Sequence, residues 1–158
     1  TLLKLSCHPA GTISVQGIRA ILAGWELEGW VCDIVCIDYA DLLAPGSKYE
    51  NKRDQIDDDW TQLRAMSQSL HCLVVTATQS DAKSYTAKTL GKQHFSNDKR
   101  KHAHVTGMLG INRTEEEKEL GIYRINWVDL REDHYLESKC VHLAACLPLA
   151  NPCVLSCE

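Results

Sequence analysis

Three polar residues stand where apolar, strand-forming runs stop. Val31 to Ile37 gives way to Asp38, with Asp41 three positions later. Cys72 to Thr78 (CLVVTAT) gives way to Gln79, and Ile122 to Leu130 (IYRINWVDL) gives way to Arg131. Val- and Ile-rich runs read as strands of a parallel sheet, and ligands of open α/β sheets sit just beyond the carboxyl ends of such strands. Three such ends would converge on one edge. A carboxylate there can order Mg²⁺ and its waters, and a glutamine can orient a water or sense a γ-phosphate. An arginine can stabilise charge on a phosphoryl group in transfer. Taken singly, each residue has a plainer role: Asp38 as a cap or turn former, Gln79 as the polar end of a strand, Arg131 as a surface charge beside Glu132 and Asp133. Their order and spacing together point to phosphate chemistry.

Two other constellations compete. Asp38 and Asp41, with an acid from Asp57 to Asp59, have the residue types for a metal-dependent nuclease or phosphodiesterase. That D-x-x-D spacing is common, and Asp57, Asp58 and Asp59 beside Arg53 and Arg64 read as a solvated helix face. The tail offers Cys140, His142, Cys146, Cys153 and Cys157, separated by one, three, six and three residues. It lacks the close C-x-x-C pair of common structural sites, so zinc is not expected. Cys32, Cys36 and Cys72 sit in apolar strand patterns where a thiol acts as a small hydrophobe, and the eight cysteines read as reduced.

The elements that must position these residues follow from periodicity. Thr12 or Ser14 can cap a helix across Ile13 to Glu28, with apolar residues at 15, 18, 21, 22 and 25, closed by Gly29. Leu2 to Ser6 reads as a short strand. Tyr49 to His71 reads as a long helix with Ile56, Trp60, Leu63, Met66 and Leu70 on one face. Ser80 to Asn97 is polar and reads as a mobile loop with a helical turn; Asp98 to His104 is locally basic. Val105 to Ile111 is another strand, Arg113 to Leu120 a charged turn, and the chain from Lys139 holds edge strands broken by Pro148 and Pro152. Alternating strands and helices predict an α/β domain, a mostly parallel sheet flanked by helices.

Composition bounds the partners. The 158 residues suit one domain, at 44% apolar, 24% charged and net charge -4. No global basic field announces nucleic acid, so such contacts would come from local patches. No apolar stretch approaches the roughly 20 residues that span a bilayer. The chain opens on Thr1 and runs at once into an apolar segment, as a piece of a longer polypeptide would.

The sequence resembles the RecA-like ATPase core of DnaB-type replicative helicases, particularly phage-type versions, from about Leu2 to Tyr135. LSCHPAGTISVQGIRAIL is similar to the helix before Walker B, and DIVCIDYADLL to the Walker B strand. DQIDDDWTQLRAMSQSLHCLVVTATQS resembles the helix and strand leading to the sensor glutamine, and the segment from Asp98 to Asp133 the stretch ending in the finger strand. The resemblance implies an α/β RecA-like P-loop NTPase core, present in part. Residues 1–158 would be a single partial domain running from Walker B to the finger region, with 136–158 as edge strands or tail. Asp38 takes the Walker B role and holds Mg²⁺ through water. Gln79 senses the γ-phosphate of ATP, and Arg131 reaches the nucleotide of a neighbouring subunit in a homo-oligomeric ring, a hexamer.

The same resemblance sets the loops after Walker B and after the sensor near single-stranded DNA, with Lys48, Lys52, Lys83, Lys88 and Lys92 as phosphate contacts. It implies DNA replication in the cytoplasm of a bacterial or phage-infected cell. Two departures stand out. No G-x-x-x-x-G-K-[ST] occurs, so the chain alone is not expected to hydrolyse ATP. Where many relatives carry a lysine two residues before the finger arginine, this chain has Asp129. A recombinase-like or regulatory ATPase, or a non-catalytic assembly domain, would fit the same fold.

Overall fold

The computed structural model describes residues 2–82, 84, 87–98, 100–146 and 151–157, with backbone alone at 96–98, 145–146 and 151–157. The chain forms two compact units, residues 1–78 and 79–158.

The first unit is a parallel strand pair backed by two helices. Helix α1 spans Val15–Leu27; Ser14 caps it by accepting a hydrogen bond from the Gly17 amide at 3.2 Å. Gly29 follows at φ +81, a conformation glycine adopts without a Cβ clash. Strand β1 (Ile34–Ile37) leads through a 3₁₀ turn at Ala40–Leu42 to α2 (Lys52–Leu70), which is capped by Asn51. Strand β2 (Leu73–Thr76) pairs parallel with β1, Ile34 opposite Leu73 and Ile37 opposite Thr76. Val15, Leu22, Leu43, Trp60, Leu63 and Met66 form the buried apolar side.

Two expectations change here. Residues Leu2 to Ser6 form no strand; the segment is tied instead by Lys4, whose ammonium pairs with Glu28 and lies over the Trp25 and Trp30 rings. The strands are not buried on both faces: Ile34, Leu73 and Val75 are 56%, 55% and 45% exposed.

The second unit is an antiparallel sheet. A 3₁₀ segment over Lys92–Asp98 and a short helix α3 (Lys101–His104) precede β3 (Gly107–Asn112). Helix α4 (Glu115–Glu119) carries a reciprocal capping box between Thr114 and Glu117. Strands β4 (Ile122–Leu130), β5 (Cys140–Cys146) and β6 (Asn151–Cys157) follow, in the order β3-β4-β5-β6 with every pairing antiparallel. The α/β class stands, with parallel pairing in β1 and β2. Strand β4 belongs to the antiparallel sheet, so the expectation that Arg131 ends a strand of Asp38's parallel sheet is corrected.

Lys88, Leu90 and Phe95 of the polar segment expected to be mobile are held against that sheet. Phe95, Met108 and Val128 form its core, with Leu90 and Val105 packed against them. Gly110 keeps the inner side open: a Cβ there would meet Asn126 Oδ1 at 2.7 Å.

Candidate functional site

Asp38 is exposed and directly follows β1, as the sequence predicts. The peptide joining it to Tyr39 is cis. Thr76, at the end of β2, holds both flanks of this turn. Its hydroxyl donates to the Ile37 carbonyl at 3.0 Å and accepts from the Ala40 amide at 2.9 Å. One side chain thus replaces the ladder hydrogen bonds that end with the strand.

Asp41 is a brace. Its Oδ2 accepts from the Thr78 hydroxyl at 2.7 Å and its Oδ1 from Trp60 Nε1 at 3.3 Å. The carboxylate therefore ties the turn after Asp38 both to α2 and to the residue before Gln79. Below it, Gln55 Nε2 donates to the Leu43 carbonyl at 3.2 Å and to Asp59 Oδ2 at 3.3 Å. The Gly11 amide donates to the Leu42 carbonyl and the Ala44 amide to the Ile13 carbonyl, both at 2.8 Å, closing the turn from the other side.

Asp59 overturns the solvated-face reading of its helix: it is 2% exposed, and its Oδ1 has no hydrogen-bond partner. Burial pushes its carboxyl up to about 6, against a partial opposing effect of the Gln55 hydrogen bond. Asp58 accepts from Tyr49 at 2.5 Å and from Gln62. Of the acids invoked for a nuclease centre, Asp41, Asp58 and Asp59 are thus bonded to separate partners. No group of three or more His, Cys, Asp or Glu able to hold a metal forms among the described residues. Asp38 alone fits the way Mg²⁺ binds beside a nucleotide, where one or two carboxylates join waters and phosphate oxygens.

Gln79 is exposed and opens the second unit, one residue past Thr78. Arg131 is exposed directly after β4. Its amide donates to the Thr106 carbonyl at 3.0 Å, and its guanidinium donates to the Ala103 carbonyl at the end of α3. Asp38 lies in the first unit and Arg131 in the second.

Of the candidate phosphate contacts, Lys48, Lys52 and Lys88 are exposed, and Lys83 lies outside the described residues. Lys92 is engaged: its ammonium pairs with Asp129 at 2.8 Å, a bond that raises the lysine's pKa. His102 Nδ1 reaches the other Asp129 oxygen at 3.0 Å. Burial pushes the Asp129 carboxyl up, but the Lys92 and His102 bonds outweigh it and hold it below the usual range. The acid that departs from the helicase pattern thus has a local cation of its own.

Sequence reasoning missed the clamp that fixes residues 88–91. Asn112 Oδ1 accepts from the Leu90 amide at 2.6 Å, and Asn126 Nδ2 donates to the Leu90 carbonyl at 2.9 Å. The two asparagines bond one another at 2.8 Å. Arg124 donates to the Lys88 carbonyl at 2.7 Å and to Glu117 at 2.6 Å, and this ion pair holds the Glu117 carboxyl low. The available signal was asparagine inside two strands, where it is depleted. In the tail, Cys140 is a free thiol, while the side chains of Cys146, Cys153 and Cys157 lie outside the described residues.

No protein-family model and no curated protein matches the sequence. Solved structures do match. One is an ATPase domain, 19% identical, with a TM-score of 0.72 over 84% of this chain and 48% of the other. A second is a DnaB-like replicative helicase whose structure was described with its interactions with primase. It is 18% identical, with a TM-score of 0.73 over 85% of this chain and 33% of the other. The chain therefore spans about half the length of one and a third of the other. What they share with it is the fold, which is RecA-like.

Proposed function

We propose that this chain is the Walker B-to-finger part of a DnaB-like replicative helicase ATPase, coupling Mg-ATP hydrolysis to movement on single-stranded DNA. The observation that carries the reading is Asp38, an exposed carboxylate at the carboxyl end of a parallel strand, in a RecA-like fold. Mg²⁺ bound with ATP supplies neutralisation of the phosphate charge. Asp38 orients water around that ion, and Thr76 holds the turn that presents the carboxylate. Gln79 follows Thr78, whose hydroxyl is bonded to Asp41 in the turn after Asp38. Arg131 serves a neighbouring subunit's nucleotide in a ring, after leaving the Ala103 carbonyl. Lys48, Lys52 and Lys88, with Lys83, contact DNA phosphates.

The test is ATP hydrolysis by a polypeptide that joins this chain to a phosphate loop. Asp38→Ala should abolish turnover while leaving the circular dichroism spectrum intact. Turnover at the parental rate would sink the assignment.

A further inference from the structure

Helix α1 ends in a turn that sets two tryptophans against one another. The Gly29 amide donates to the Glu26 carbonyl and the Trp30 amide to the Trp25 carbonyl, both at 2.9 Å, with Gly29 at φ +81. This is the Schellman ending, which folds the chain after a left-handed residue back onto the last turn and brings the two outer side chains into contact. Here those side chains are indoles. The Trp25 and Trp30 rings lie edge to face, their centroids 5.4 Å apart and their planes at 88°. Glu28 sits between them in the turn.

Lys4 fills the angle between the rings. Its ammonium lies 5.3 Å from the Trp25 centroid and 5.7 Å from that of Trp30, within the reach of about 6 Å over which a ring quadrupole attracts a cation. It also donates to the Glu28 carboxylate. The helix end adds a further attraction, because its carbonyls carry partial negative charge and the last turn of α1 holds no basic residue of its own. An exposed ion pair alone would count for little. Two ring faces, a carboxylate and a helix end converge here on one ammonium. The segment that brings it gains little else: Leu2, Leu3 and Leu5 are exposed, and residues 2–8 form no helix or strand. Among the described residues, the hydrogen bonds and ion pairs from 2–8 to the rest of the unit are those of Lys4.

We propose that Trp25, Trp30 and Glu28 form a receptor for a primary alkylammonium ion, which Lys4 fills from within the chain and an external amine fills in its place. The chemistry selects the ligand class. The ring faces take a positive charge and the apolar stem next to it, and the Glu28 carboxylate takes an N–H. A neutral alcohol of the same length lacks the charge. Because Lys4 is the bond that ties residues 2–8 to the unit, an amine that displaces it frees that segment and its three exposed leucines. Tethering gives Lys4 a high local concentration at the site, so an external amine competes best once Lys4 is removed.

The experiment titrates the 158-residue chain and its Lys4→Ala variant with n-butylammonium, the lysine side chain without its backbone, and follows the indole N–H signals by NMR. In Lys4→Ala the Trp25 and Trp30 signals should move saturably while those of Trp60 and Trp127 stay in place. 1-Butanol should move none of them. In the parent the same movement should need severalfold more amine. Adding Glu28→Gln to Lys4→Ala should weaken binding severalfold. The proposal is overturned by an equal response to 1-butanol, by no saturable movement in Lys4→Ala, by equal midpoints in parent and variant, or by undiminished binding with Glu28→Gln. One reading needs no variant. The Lys4 ε-methylene protons of the parent, shielded by two ring faces, should resonate upfield of an ordinary lysine and return as amine is added. Protons at the ordinary position from the start would also overturn the proposal.

Discussion

Asp59 keeps a carboxyl away from water with one oxygen bonded by Gln55 and the other without a partner. Its folded pKa of about 6 exceeds the ordinary 3.8, so the folded protein holds a proton that the unfolded chain releases across that interval. Stability is therefore fully present below about pH 4 as far as this group is concerned, and is lost as pH rises through 6. A gap of this size corresponds to roughly 3 kcal/mol at most, since each unit is worth about 1.4 kcal/mol. Asp59→Asn should remove this slope and raise stability at pH 7.5 by about 1–3 kcal/mol, read from urea melts at pH 4.5 and 7.5. An unchanged slope would refute the buried-acid account. The inward placement was partly legible: three consecutive acids on a helix cannot share one face, and Gln55 and Asp59 are four apart. Which acid turned inward depended on tertiary packing.

The clamp of Asn112, Asn126 and Arg124 makes the 88–91 segment part of the sheet. Removing the Asn126 amide leaves the Leu90 and Glu137 carbonyls without that donor and takes one of three acceptors from Asn112 Nδ2. Each buried group left so costs about 1–3 kcal/mol. Asn126→Ala should therefore destabilise the protein by about 2–4 kcal/mol, and hydrogen exchange should rise first at Leu90 and Gly91. Uniform loss of protection across the sheet would point to general unfolding instead. At this scale the sequence was read well where periodicity is local: β4 occupies the expected Ile122 to Leu130, and α1 begins and ends within two residues of expectation. Strand partners were harder, because pairing is a long-range property. One cue existed: the connection over 113–121 is shorter than the dozen or so residues a parallel crossover needs.

For the whole molecule, the chain spans 48% and 33% of the length of the two similar structures, so the proposed hydrolysis and ring assembly are tested on a longer polypeptide. Arg131 tests that level. If it acts on a neighbour's nucleotide, Arg131→Ala in the polypeptide joined to a phosphate loop should slow hydrolysis in assembled rings and leave monomer turnover unchanged; equal losses in both would contradict a trans role. Asp38 was legible because an aspartate ending an apolar strand is a local pattern. The supports of the turn after it, Thr76, Thr78, Gln55 and Trp60, were not, since each reaches that turn across an element boundary. The pairing of Lys92 was not legible for the same reason: its sequence neighbours are polar and give no sign of Asp129.

The open face of β1 and β2 governs how this polypeptide behaves in concentrated solution. Ile34, Leu73 and Val75 present an apolar strip on a two-stranded sheet, and such a strip is a template for association between copies. With a net charge of only -4, long-range repulsion between copies is weak. Light scattering of the chain should rise steeply with protein concentration. Val75→Lys, which puts an ammonium on the strip, should flatten that rise without altering the melting transition by more than a few degrees. Steep scattering in both proteins would trace the colloidal behaviour to another surface.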